Sequence, residues 1–222
     1  MRSFDEIFAI AAERKGGADA LNALLEPPSA QADLAAIPDD RWLAQSTKCI
    51  FNAGFNWKVV DAMWPGFEAA FEGFDLGRCA MLNDEDIARL ASDTRIVRHG
   101  GKIRSVQENA VFFADLVKEH GSVGKFIADW PDGDYAGLLA FLKKRGSRLG
   151  GNTGQYFLRF MGKDSYVLSR DVVARLIAEG VIDKEPTSKS AMAAVQEAFN
   201  TWRSQSGRSQ REISRTLAMS IG

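Results

Sequence analysis

Residues 143–162 read KKRGSRLGGNTGQYFLRFMG. One helix ends on Lys143, Lys144 and Arg145, a turn with Gly146, Gly150 and Gly151 follows, and a second helix opens near Thr153–Gly154. Glycines let a backbone come close to a partner, and the free N–H groups at a helix start favour an anion. With Arg148 the first helix's end and the turn carry four cations, so a nucleic-acid phosphate is one reading of them. The other is an ordinary helical hairpin whose basic residues complement a helix C-terminus.

The hairpin stands in a chain whose periodic segments are nearly all helical. FDEIFAIAAER puts Phe4, Ile7, Phe8 and Ala11 on one face, and ADALNALL continues after Gly16–Gly17. Pro38 and Asp39–Asp40 follow a proline-containing connector and open a helix through Trp42 toward Cys49. KVVDAMWPGFEAAFE has helical spacing that Pro65–Gly66 is expected to interrupt, and Asn83 with Asp86 forms a helix-start signature. KIRSVQENAVFFADLVKEHG closes at Gly121, and two more helices fill the last 40 residues. No segment alternates as a strand would, and no repeat is visible. The reading is all-α, with about ten short helices in a single unit of two helical lobes. The hairpin element falls at about 136–178, with residues 1–38 and 183–222 as helical extensions.

Between two helical segments lies FNAGFNW, residues 51–57, where three rings and two asparagines crowd a glycine. Gly in a helix interior costs about 1 kcal/mol against Ala. The stretch therefore reads as a tight corner sealed by its own rings, or as a surface that receives something flat. Bulk properties narrow the partners. The 222 residues are 45% hydrophobic and 26% charged with a formal net charge of −1, so nucleic acid must be met by a local basic patch. Two cysteines and two histidines are too few for a disulfide framework or a zinc cluster, and no metal or cofactor is expected. No apolar run reaches membrane-spanning length and no basic-then-apolar leader opens the chain, so a cytoplasmic monomer with reduced thiols is expected.

LGGNTGQYFLRFMG followed by VLSRDVVARL resembles the helix-hairpin-helix element of base-excision DNA glycosylases. AGFNWKVVDAMWPGFEAAFEGFD and DIARLASDTRIVRHGGKIRSVQENAVFF resemble the 3-methyladenine DNA glycosylase I family over roughly residues 42–177. The positions that carry the likeness are Ala53, Gly54 and Trp57; Arg98, His99, Gly101, Lys102 and Ile103; and Gly151 and Thr153. The family's structural-zinc residues have no counterpart, Asp171 stands where the family has a zinc-binding His, and Cys49 stands where it has a base-recognising Glu.

The resemblance implies a monofunctional glycosylase that hydrolyses the N-glycosidic bond of alkylated purines in duplex DNA, 3-methyladenine foremost. Its alternative is a non-catalytic DNA-binding relative. Trp57, Cys49, Phe51 and Asn52 would form the base pocket, and Gly54, Phe55 and Asn56 the wedge that fills the gap left by a flipped nucleotide. Lys143, Lys144, Arg148, Gly151, Thr153, Gly154, Arg98 and Lys102 would meet the DNA backbone. Asp171 would stabilise the oxocarbenium-like sugar or orient water; read from the residues alone it is equally a helix N-cap. Gln155 replaces the Schiff-base lysine of lyase-type relatives, so strand nicking is not expected. Read from the residues alone, Trp57 is first a core ring and Cys49 a small core residue, while His99 is equally a cap or part of a basic cluster.

Overall fold

In the computed structural model the described residues, 1–25 and 33–221, form thirteen α-helices and no strand. Pro27 and Pro28 of the connector lie outside the described residues. The all-α expectation holds, with more helices than expected. One that sequence periodicity did not mark is the five-residue helix Leu76–Ala80, which starts because the Asp75 carboxylate accepts the Arg78 amide at 2.9 Å. The chain divides into two compact units, named here for their place in the sequence. The central unit comprises 33–130 and 139–161; the terminal unit comprises the described residues of 1–32 with 131–138 and 162–222.

The helices are numbered in chain order. Those of the first half are α1 (Phe4–Lys15), α2 (Ala18–Leu25), α3 (Asp39–Asn52), α4 (Trp57–Ala70), α5 (Leu76–Ala80), α6 (Asp84–Ala91) and α7 (Gly100–His120). The second half holds α8 (Val123–Asp129), α9 (Tyr135–Arg145), α10 (Gly151–Met161), α11 (Arg170–Ala178), α12 (Lys189–Ser206) and α13 (Gln210–Met219).

The central unit is assembled around α3 and α7. Trp42 of α3 is fully buried and meets Phe157 of α10 edge-on at 5.8 Å, while Phe113 of α7 stacks on the same ring at 6.2 Å. Three helices therefore share one aromatic contact, which fixes where α10 begins relative to the end of α3. Helix α4 runs unbroken through Pro65, contrary to the sequence expectation. Pro65 is exposed, so the missing amide hydrogen bond falls on the solvent side, and its neighbour solves a packing problem: a Cβ at Gly66 would collide with the Arg95 carbonyl. The hairpin turn between α9 and α10 is held by Asn109 of α7, which donates to Ser147 O at 3.0 Å and accepts from Ser147 N at 2.8 Å.

The terminal unit joins the two ends of the chain. Trp202 donates to Arg2 O at 3.1 Å, and Phe4 N donates to Gln205 at 2.9 Å. Tyr166 stacks on Phe199 at 4.3 Å, with Tyr135 set edge-on against it at 4.7 Å. Glu179 is buried and accepts from the Arg2 amide (2.9 Å), the Arg2 guanidinium (2.8 Å) and Arg175 (3.2 Å), whose remaining donors reach Ser220. Burial pushes the Glu179 carboxyl up, but the Arg2 and Arg175 hydrogen bonds outweigh it and hold its pKa below the ordinary 4.5. The stability this network supplies is present above the ordinary glutamate value and lost as pH falls through the depressed one. Glu179→Ala leaves Arg175 buried without its partner and is expected to cost about 3–5 kcal/mol in urea unfolding. The variant should also lose the part of acid sensitivity that comes from this carboxyl.

Candidate active site

The corner between α3 and α4 is built by short polar residues and one glycine. Gly54 takes a positive φ of 71°, where an L side chain is strained. Asn56 caps α4, its Oδ1 accepting the Lys58 amide at 3.0 Å. Between them Phe55 is held 47% exposed, although it is a large apolar ring.

The corner is fastened from below by Lys102. This lysine is only 9% exposed, and its Nζ donates to the carbonyls of Phe51 (3.1 Å) and Ala53 (2.7 Å). Burial, with a smaller contribution from the nearby Arg148 guanidinium, pulls its pKa below the ordinary lysine value of 10.5. Lys102 belongs to the first turn of α7, where its own amide donates to His99 Nδ1 at 3.2 Å. One residue back, Gly101 O accepts from Arg148 Nε at 3.2 Å. The start of α7 is thereby tied to both the corner and the hairpin turn.

Above this clamp lies a cavity of about 220 Å³, wholly within the central unit. Cys49, Asn52, Ala53, Gly54 and Trp57 line it from the corner, and Asn152, Thr153 and Tyr156 from the first turns of α10. The indole of Trp57 meets the Tyr156 ring edge-on at 5.5 Å and the Phe160 ring at 6.0 Å, and Tyr156 stacks on Phe160 at 5.8 Å. Trp57 is 42% exposed, so it is not a core ring. Burial pushes the Cys49 thiol up to about 11, which keeps it an uncharged, unreactive wall. The volume suits one flat heterocycle, since a dry cavity of about 150 Å³ takes a benzene ring.

The structure sorts the sequence-derived candidates. Trp57, Cys49 and Asn52 share the cavity wall, joined by Gly54 and Thr153. Phe51 does not: it is fully buried and set edge-on against Phe67 at 4.7 Å, because the helical turn that brings 49 and 52 to one face sends 51 to another. Lys102 is no phosphate ligand, since its ammonium is spent on two carbonyls. Gly154 is buried, and a Cβ there would strike Leu149 O, so this glycine serves hairpin packing. Gly151 opens α10 at φ 58°, Arg98, Lys143 and Lys144 are exposed, and Arg148 is exposed but engaged with Gly101. Asp171 is exposed in the first turn of α11 in the terminal unit, and Ser169, not Asp171, caps that helix. Sequence reasoning passed over Asn152 and Tyr156. The signal was available, because 152, 153 and 156 fall on one face of a helix that starts at Gly151.

Comparison with known proteins agrees with this geometry. Residues 47–136 match the methyladenine glycosylase family model. Over 58 residues the chain is 38% identical to DNA-3-methyladenine glycosylase 1 of Escherichia coli strain K12, a match that covers 26% of this chain and 31% of that protein. It thus spans under a third of the length of this curated relative. Among solved structures, a 3-methyladenine DNA glycosylase I superposes with a TM-score of 0.50 at 25% identity, over 56% of this chain and 79% of that one. The Methanocaldococcus jannaschii 8-oxoguanine glycosylase/lyase, solved with a 15mer DNA containing 8-oxoguanine, shares the fold over 96% of this chain and 95% of its own. Its TM-score is 0.54 and its identity 14%. Over residues 47–136 the chain is thus similar in sequence to the methyladenine glycosylase family, and over nearly its whole length it shares the fold of the 8-oxoguanine glycosylase/lyase.

Proposed function

We propose that the protein is a monofunctional DNA glycosylase that hydrolyses the N-glycosidic bond of alkylated purines in duplex DNA. The observation that carries this reading is the base-sized cavity between the Trp57 corner and the start of α10, beside the outward-pointing Phe55. A glycosylase must draw a base out of the stack, fill the gap it leaves and hold the flipped base against rings. Phe55 supplies the apolar wedge, and Trp57 with Tyr156 supplies the rings. The C1′–N bond breaks with its electron pair leaving on the base, and water adds to the oxocarbenium-like sugar. None of the eight residues lining the cavity is a carboxylate; the resemblance alone is what implies Asp171 as the group that stabilises that cation.

Cys49 in place of the family's Glu favours a second reading, a DNA-binding relative without catalysis. A thiol is only a weak donor and acceptor, and replacing a charged acceptor removes roughly 1.5–3 kcal/mol of recognition. Base release from methylated duplex DNA separates the two. Release is expected, weak for 3-methyladenine, lost with Trp57→Ala and reduced at least a hundredfold with Asp171→Asn. A folded wild type that binds abasic-site DNA and releases no base is the non-catalytic relative.

Duplex binding is expected to be salt-dependent through the hairpin. Lys143 and Lys144 are exposed, whereas Arg145 lies over the Phe112 and Phe141 rings and Arg148 holds Gly101. Replacing Lys143 and Lys144 with Ala should lower the slope of log affinity against log salt by about 2, one for each phosphate no longer neutralised. An unchanged slope would make the hairpin purely structural.

Lys102→Met tests the clamp. Two hydrogen bonds from a charged donor disappear, each worth about 1.5–3 kcal/mol where the donor is ionised. The variant is expected to lose preference for DNA containing an abasic-site analogue over intact duplex, as Phe55→Ala should. A variant that keeps this preference while its melting temperature falls would confine Lys102 to stability.

A further inference from the structure

One buried polar group in the cavity has no use within the fold. Asn52 is 5% exposed and its Oδ1 has no hydrogen-bond partner. Asp40 Oδ1, Trp42 Nε1 and Thr47 Oγ1 of the same unit also lack a partner, but of these four residues Asn52 alone lines the cavity. A buried amide that merely packed would be replaced at little cost by an apolar residue of the same shape, while an unanswered one is destabilising. Asn52 lines the cavity, so the partner its carboxamide lacks is one that the cavity admits.

The charge pattern narrows that partner. None of the eight lining residues carries a formal charge at neutral pH; two are carboxamides, one a hydroxyl, one a thiol and one a phenol. Burial pushes the Cys49 thiol up to about 11, so it too stays uncharged there. Asn152 and Thr153 stand in the first turn of α10, whose exposed amides place the positive end of an eleven-residue helix at the wall. That end repels a cation and favours a carbonyl oxygen. Trp57 and Tyr156 meet edge to face and stack on a flat base of any hydrogen-bonding pattern, so discrimination falls to the polar groups.

Building on the glycosylase reading, we propose that the cavity selects an uncharged purine that presents a carbonyl beside a ring N–H, and that Asn52 reads this edge. A carboxamide is matched to it, because Oδ1 accepts from the ring N–H while Nδ2 donates to the carbonyl. Hypoxanthine and guanines alkylated at the exocyclic nitrogen have this edge and no ring charge. Purines alkylated at N3 or N7 are cationic in DNA and lack a counter-charge here. Asn52 is thus the specificity-determining residue, at a helical turn's spacing from the position where the family carries its carboxylate.

Calorimetric titration with two model bases tests this directly: neutral 9-methylhypoxanthine and the fixed 3,9-dimethyladeninium cation. The wild type is expected to bind the neutral base at least about tenfold tighter, the scale of a hydrogen-bonded pair left unmade. Asn52→Leu, close in shape, should erase that preference while retaining weak stacking affinity for both. Asn52→Asp should reverse it by supplying a charged acceptor. Tighter binding of the cation by the wild type, a preference unchanged in folded Asn52→Leu, or no binding of either base by the folded protein would each overturn the proposal. Failure of the glycosylase reading is separate, since it appears as no base release from any damaged duplex whatever the titrations show.

Discussion

A lysine ammonium buried under a helix end is the constraint on which the candidate site depends. The last carbonyls of an α-helix have no intrahelical donor, and they form the negative end of its dipole. Helix α3 ends at Asn52, and the carbonyls that flank this end belong to buried Phe51 and to exposed Ala53. Lys102 Nζ answers both, at 3.1 and 2.7 Å, and its charge lies 5.8 Å from the Phe51 ring as well. Desolvation lowers the lysine's pKa, so the charge is kept in place at a cost that only two good acceptors offset. Everything that gives the cavity its shape on this side, from Asn52 to Trp57, follows from where those carbonyls are pinned. The same short segment is tied to the hairpin turn through Gly101 and Arg148, so corner and α10 wall are placed by one anchor.

The basic residues near the hairpin divide by what they touch. Arg145 is committed to Phe112, Phe141 and Asp115, and Arg148 to the Gly101 carbonyl, while Lys143 and Lys144 face solvent. Arginine suits the first task because its planar guanidinium stacks on rings and donates in fixed directions; lysine suits the second as a flexible, hydrated point charge. In a chain of net charge −1 this division matters. On the proposed reading, long-range attraction to DNA is weak, and the field that a duplex would meet is set by a few mobile charges within a Debye length of the hairpin.

The scaffold was legible because its determinants are local. Glycines at the hairpin, Gly54 with Asn56 at the corner, and the Asn83–Asp86 cap announce backbone geometry that only those residues meet cheaply. The wall of the cavity was half legible. Helical phase alone decides that Asn52 faces the cavity and Phe51 the core, and within the crowded FNAGFNW both read alike. Lys102 and Gly154 were assigned to DNA because a sequence shows that a cation or a glycine is present, not which way it faces. Lys102 points inward to carbonyls, and Gly154 exists to clear Leu149 O. Tyr156 was missed for a related reason: its meaning depends on Trp57, ninety-nine positions earlier, which tertiary packing alone brings to 5.5 Å.

The site therefore separates two kinds of recognition. On the proposed reading, stacking on Trp57 and Tyr156, whose rings meet at 5.5 Å, needs only a flat π face. On the same reading, hydrogen bonding at the edge of the base is pattern-specific and would rest on Cys49, Asn52, Asn152 and Thr153, which line the cavity. A lineage can keep the first set and exchange the second one residue at a time, because stacking holds affinity while the polar edge changes.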